Sequence, residues 1–243
     1  MTVTNFPNGI SCSQGGDALA AFPLTVPLNY SMQSDDFFRL NTTDDWTLTQ
    51  TNGTAAVSGA NGVLSLALAG ADNDKALLAH KATTVSLLAG KKFAFATRFK
   101  VTGGSGHVSG KEGLVIGLAS IATGTNFISA DGTTMAFDDG FGFYSSPASS
   151  LPSIFSRASD TETRTPLASL GVSYSDDVWQ IFYTIYDGTT LTYYFGTDTE
   201  MRKVGSIATN IPTAVLAPTF YIEAGEAKTK TLDVDYFHVI AER

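Results

Sequence analysis

Residues 177–198, DVWQIFYTIYDGTTLTYYFGTD, constrain the fold more than any other stretch of the chain. The pair Asp187-Gly188 supplies the positive φ angles of a tight hairpin turn, and apolar runs flank it on both sides. Side chains alternate along a strand, so Trp179, Ile181, Tyr183 and Ile185 share one face of the first arm. Leu191, Tyr193 and Phe195 share one face of the second. Phe182, Tyr186 and Tyr194 add aromatic bulk to the opposite faces. A strand apolar on both faces is a central one, covered on both sides, as in a large β-sandwich. The same pattern places Trp179 in the core.

The rest of the chain repeats this character. KFAFATRFKV (92–101) alternates without a break: Phe93, Phe95, Thr97, Phe99 and Val101 face one way, and Ala94, Ala96, Arg98 and Lys100 face the other. One face is buried and the other is wet or lightly covered. Asn52-Gly53 and Asn61-Gly62 mark turns around a short strand, and Val63–Leu68 alternates again. Further strands are predicted at Ala76–His80, Leu114–Ala119, Gly140–Tyr144, Leu170–Tyr174, Met201–Ile207, Ala217–Glu223 and Lys230–Ala241. Residues 145–169 are rich in Ser, Pro and Thr and carry no clean period. About twelve strands at short intervals, with no amphipathic helix, specify an all-β, two-sheet antiparallel sandwich or jelly roll. No repeat of about 20–50 residues is present, which argues against a propeller or β-helix.

Residues 1–34 differ. They carry three prolines and no alternation, yet Phe6, Ile10, Phe22, Leu24, Val26, Leu28 and Tyr30 make them too apolar for a solvated tail. They are read as an extended N-terminal arm ahead of one sandwich domain at 35–243. The arm packs either on its own domain or on a partner, where it would order on binding.

Net charge is -8 and no basic run occurs, which excludes nucleic acid and anionic membrane surfaces as main partners. No apolar stretch reaches the roughly 18 residues of a membrane span. The opening MTVTNFPNG lacks a basic start and an apolar core, so a cytoplasmic site of synthesis is expected. The single cysteine, Cys12, allows no internal disulfide and reads as an idle thiol.

Catalytic patterns are weak. Paired carboxylates about 5–5.5 Å apart would suit a retaining glycosidase. Glu223 and Glu226 point to opposite faces, and Asp233 and Asp235 share a face without a third acid. His80, His107 and His238 are too scattered to ligate a metal. Asp72-Asn73-Asp74 or Asp138-Asp139 offer oxygens of the kind Ca²⁺ takes, but neither forms an EF-hand loop. No catalytic residue and no cofactor is assigned. Trp46, Tyr144 and Tyr174 are the aromatic candidates for stacking on a sugar ring.

Two segments resemble known proteins. LDVDYFHVIAER (232–243) resembles the closing strand of concanavalin A-like lectin/glucanase domains, with its hydrophobic–Asp–Tyr–hydrophobic pattern. KFAFATRFKV and VWQIFYTIYDGTTLTYYFGTD (178–198) look like an early strand and the aromatic hairpin of the same domains. The resemblance covers 35–243 and implies a concanavalin A-like jelly roll. The glucanase branch carries Glu-x-Asp-x-(x)-Glu on an inner strand. That motif is absent here, which implies a non-enzymatic member.

The opening TNFPNGISC (4–12) resembles the start of tailed-bacteriophage virion proteins. This implies a capsid decoration protein, assembled in the host cytoplasm and standing on the capsid surface as a trimer or dimer. Thr4, Asn5, Phe6, Pro7, Asn8, Gly9 and Ile10 would then dock on the major capsid protein, and many copies would gain avidity on the shell. The alternative is a carbohydrate-binding module, free or displayed on a virion. A glycoside hydrolase is the third reading.

Overall fold

The computed structural model describes residues 30–58, 62–81, 85–103, 111–120, 127–129, 134–170 and 175–243, with the side chains of 58 and 149–151 left aside. In chain order the strands are β1 (Tyr30–Asp35), β2 (Trp46–Thr51), β3 (Gly53–Ser58), β4 (Val63–Leu68), β5 (Lys75–His80), β6 (Phe93–Gly103), β7 (Glu112–Ala119) and β8 (Gly140–Ser146). There follow β9 (Ser149–Ala158), β10 (Thr161–Pro166), a 3₁₀ turn (Leu167–Leu170), β11 (Gln180–Tyr186), β12 (Leu191–Gly196), β13 (Met201–Ile207), β14 (Ala217–Ala224) and β15 (Lys230–Glu242). No α-helix occurs among the described residues.

These strands form two antiparallel sheets. One runs β13-β12-β11-β6-β15-β4-β3, with β1 also paired to β15; the other runs β10-β9-β8-β7-β14-β5-β2. The all-β sandwich expected from alternation is the fold observed. The main core lies between the sheets and is aromatic. Phe143 stacks on Phe195 at 5.4 Å, Phe99 meets Phe143 at 5.5 Å, and Phe93 meets Phe141 edge-on at 5.5 Å. Each such ring contributes about 2 kcal/mol by burial alone.

The hairpin behaves as its pattern requires, with one change of detail. Tyr186 pairs Leu191, so the loop has four residues, 187–190. Only Gly188 takes a positive φ, 103°. Asp187 acts through its carboxylate, which accepts from the Thr189 hydroxyl and from the backbone N–H groups of Thr189 and Thr190. Those bonds, the Thr189 hydroxyl first, hold its pKa below the usual carboxylate range. Phe182 and Tyr186 join Leu191, Tyr193 and Phe195 in the core, while Ile181, Tyr183 and Ile185 face outward.

Asn52-Gly53 is a corner between sheets. β2 belongs to the seven-stranded sheet and β3 to the eight-stranded one, so the chain changes layer at a single residue. Asn52 takes φ 51°, and a Cβ on Gly53 would press on the Lys75 carbonyl. The expected strand at 170–174 is not confirmed: Leu170 closes the 3₁₀ turn and 171–174 lie outside the described residues. The aperiodic stretch 145–169 contains β9 and β10. They join through Ser159-Asp160, both at positive φ (48° and 66°), a hairpin turn built without glycine.

The sandwich pattern begins at Tyr30 rather than Asp35. β1 pairs along β15 from Tyr30↔Glu242 to Asp35↔Phe237.

Candidate functional site

The β6 strand presents Arg98 and Lys100 on the outer face of the eight-stranded sheet, because Phe95, Thr97, Phe99 and Val101 take the inner one. Gln180, the first residue of β11, pairs with Phe99, so Trp179 arrives beside both cations. The Arg98 guanidinium lies 4.5 Å from the centre of the indole and the Lys100 ammonium 5.1 Å. Each contact of this kind contributes about 0.5–1 kcal/mol at an exposed site.

Carboxylates complete the cluster. Arg98 grips Asp198 through two parallel bonds, Nε to Oδ1 at 3.0 Å and Nη2 to Oδ2 at 2.6 Å. Its Nη1 donates to Asp235 at 2.8 Å. Lys100 pairs with Asp233 at 3.4 Å, and the Ser65 hydroxyl donates to the same aspartate at 2.6 Å. Burial pulls the Arg98 pKa down, but Asp198 and Asp235 outweigh it and the net shift is upward. Asp233 pairs opposite Lys100, and Asp235 sits in a β-bulge between Val234, opposite Phe99, and Tyr236, opposite Arg98.

An open cleft of about 390 Å³ lies beside this cluster. Its walls are Asp177, Val178 and Trp179 on one side and Thr197, Asp198 and Thr199 on the other. Local structure fixes both walls. The Asp177 N–H donates to the Val101 carbonyl at 2.7 Å and holds that residue at φ 61°. The opposite wall is the β12–β13 turn, closed by Thr197 N–H to the Glu200 carbonyl at 2.8 Å. Gly196 is required there, since a Cβ would run into the Glu200 carbonyl oxygen. Arg98 then ties this turn to the middle of the sheet through Asp198. The cleft thus presents an indole, two carboxylates, two threonine hydroxyls and the half-exposed Val178.

The aromatic candidates from sequence lie elsewhere. Trp46 is fully buried between the sheets, packed on Phe37 and Phe237 at 5.6 Å, with its indole N–H on Asp35 at 3.3 Å. Tyr144 is buried on the outer face of the seven-stranded sheet, beneath Arg164 and beside Phe155. Burial raises its pKa. Neither ring offers a face to a ligand in this conformation. Tyr174 and the segment Thr4–Ile10, with Cys12, lie outside the described residues. Trp179, read as core from its strand pattern, is half-buried on the surface instead: it stands one residue before β11, where the sheet's outer face opens. Arg98 and Trp179 were therefore missed as partners. The signal was the wet face of β6, once the register of β11 against it is known.

Glu223, Glu226 and Asp74 are engaged elsewhere. Glu223 accepts from the Tyr221 hydroxyl at 2.7 Å, and Glu226 pairs with the buried Lys230 at 3.2 Å. Asp74 accepts from the Asn52 side chain and from the Gly70 and Ala71 amides, so the 72–74 turn spends the carboxylate of its last residue on neighbouring groups. Among the described residues no group of three or more His, Cys, Asp or Glu is placed to hold a metal ion.

No protein-family model and no curated protein matches the sequence. Solved structures do match in fold. Winged bean acidic lectin complexed with methyl-α-D-galactose has a TM-score of 0.59 at 11% identity, over 88% of this chain and 98% of that one. Lectin UEA-II complexed with galactose has a TM-score of 0.57 at 15% identity, over 88% and 99%. The endo-1,3-β-glucanase of Streptomyces sioyaensis has a TM-score of 0.57 at 11% identity, over 89% and 98%. The sandwich is thus similar in fold to concanavalin A-like lectins and glucanases.

Proposed function

We propose that this chain is a carbohydrate-binding protein whose ligand rests against Trp179 in the cleft between Asp177 and Asp198. One observation carries the reading: an incompletely covered indole forms the wall of an open cleft whose opposite wall is polar. An indole provides a flat apolar surface for the C–H face of a sugar ring, and carboxylates and hydroxyls beside it orient the ring's hydroxyls. The fold likeness to two galactose-bound lectins supports a saccharide as the ligand. The test is a glycan array followed by titration of the best ligand, with galactose included. Trp179→Ala is expected to weaken binding at least about tenfold, the equivalent of one stacking contact of ~1.5 kcal/mol. Wild-type protein with no saccharide ligand, or a Trp179→Ala variant that binds unchanged, overturns the reading. Release of reducing sugar would move the chain to the glucanase side of its fold likenesses.

The opening sequence favours a setting for this activity. We place the domain on a phage virion because residues 4–12 resemble virion-protein openings. In that setting the residues ahead of β1 hold the domain on the major capsid protein and the cleft faces outward. Met32 and Phe38, 61% and 70% exposed at the two ends of this junction, are apolar surface of the kind such docking covers. Co-sedimentation with capsid shells tests it. A chain lacking residues 1–28 that binds shells as well as the full chain refutes it.

A further inference from the structure

The carboxylates of the cleft are not equivalent, and the difference points to a ligand class. Asp198 spends both oxygens on Arg98, and Asp235 and Asp233 are held by Arg98 and Lys100. Among the described residues Asp177 has no such cation: neither Arg98 nor Lys100 lies among its contacts, and the residue is exposed in the cleft wall next to Trp179. Its position is nonetheless fixed. The bond from its N–H to the Val101 carbonyl holds it in a left-handed backbone, φ 61°, which aspartate tolerates better than most residues. Four carboxylates, Asp177, Asp198, Asp233 and Asp235, surround two cations, so the whole cluster is negative.

We propose that the cleft selects a sugar bearing a free amino group, with its ring on Trp179 and its ammonium on Asp177. This rests on the carbohydrate-binding reading above and adds the ligand's charge to it. A ring of neutral hydroxyls would leave Asp177 with only hydrogen bonds to make. An ammonium adds an ion pair beside an apolar surface. A uronic or sialic acid meets net negative charge and is rejected, because like charges placed together cost affinity. An N-acetylated amine lacks the charge and falls to the level of the neutral sugar.

Calorimetric titration of the full chain tests this, at mildly acidic pH and low salt, with D-glucosamine, methyl glucoside, N-acetylglucosamine and glucuronate as probes. Glucosamine is expected to bind about fivefold tighter than methyl glucoside, as one partly exposed ion pair allows. The advantage should shrink in high salt. Asp177→Asn keeps a side chain that tolerates the left-handed backbone. It should equalise glucosamine and methyl glucoside, whatever it does to the affinity the two then share. Equal affinities in the wild type, or a preference that survives Asp177→Asn, overturn the amine proposal while leaving the carbohydrate reading intact. If no sugar binds, both fall. If ethanolamine competes as well as glucosamine, the site takes cations without reading a sugar ring, and the proposal is overturned.

Discussion

Beyond the small apolar cluster of Ala94, Tyr183 and Ile240 on the eight-stranded sheet, the two outer faces of the sandwich are treated in opposite ways. Outside the seven-stranded sheet a second apolar core forms. Phe127 and Phe137 meet at 4.9 Å and lie over Tyr221, Tyr144 and Phe155, with Ile128 and Met135 bridged beside them. Outside the eight-stranded sheet stand Arg98, Lys100 and Trp179 with a cleft at their side. The tryptophans mark the same contrast: Trp46 is fully buried between the sheets, and Trp179 is half-buried over a charged surface. A sealed face adds stability and offers a ligand nothing. An open face with paired charges adds little stability and leaves groups free to bind.

The contrast breaks first if the tryptophans are exchanged for alanine and give equal results. Trp46→Ala should cost about 3–5 kcal/mol, the usual range for a large buried aromatic. Denaturant unfolding measures it. Trp179→Ala should cost about 1 kcal/mol, from lost cation–π contact and partial burial, while weakening sugar binding. A destabilisation by Trp179→Ala as large as that of Trp46→Ala would show that the open face is a structural one.

Phe137→Ala tests the sealed face and ranks second. It removes a ring that touches both Phe127 and Phe155, at 4.9 and 5.8 Å. A loss of about 3 kcal/mol is expected, with sugar affinity unchanged. Altered affinity would join the two faces energetically and dissolve the distinction. Arg98→Ala ranks third. Partly exposed and screened, its pairs with Asp198 and Asp235 should contribute about 1 kcal/mol to stability. Its larger effect falls on binding, because the Asp198 wall loses its tie to the sheet. Titration of Arg98→Ala against Arg98→Lys separates the two, since lysine restores charge without the two-pronged grip.

Periodicity made the fold readable and left the site obscure, for physical reasons. Alternation at 92–101 reports burial directly, because the hydrophobic effect acts on every second residue. It placed Phe93, Phe95, Phe99 and Val101 inside, and Arg98 and Lys100 outside, as observed. Alternation weakens where a strand begins. Trp179 continues the parity of Ile181 and Tyr183, yet burial at a strand end depends on what stands on the neighbouring strand. That neighbour, β6, lies about 80 residues away in sequence, and only register reveals it. The β9–β10 hairpin was hidden for another reason. Its Ser159-Asp160 turn takes positive φ without glycine, and serines on β9 are buried by hydrogen bonds, such as Ser156 to the Asn210 carbonyl at 2.7 Å. Polar composition there conceals a strand. Trp46 was misread because a lone tryptophan after the polar run 41–45 carries no periodic signal of its own. Phe37 and Phe237, from either end of the sequence, bury it.

The smallest expected effect concerns a charge on the sealed side. Glu223 lies buried on β14 at the margin of the second core and accepts from Tyr221. Burial raises its pKa above the ordinary carboxylate value; the Tyr221 bond and the nearby Lys75 oppose the shift without cancelling it. A raised folded-state pKa means that the folded chain holds this proton more tightly than the unfolded chain. The stabilisation is full below the unfolded value and is lost as pH rises through the folded one. Glu223→Gln cannot ionise and keeps an oxygen for Tyr221. Relative to wild type, its melting temperature should therefore rise with pH across the carboxylate range and then level off. On the open face Asp198→Asn instead removes the ion pair with Arg98. A Glu223→Gln variant less stable than wild type at neutral pH would mean that Lys75 governs that carboxylate. The sealed face would then be held in part by charge, as the open one is.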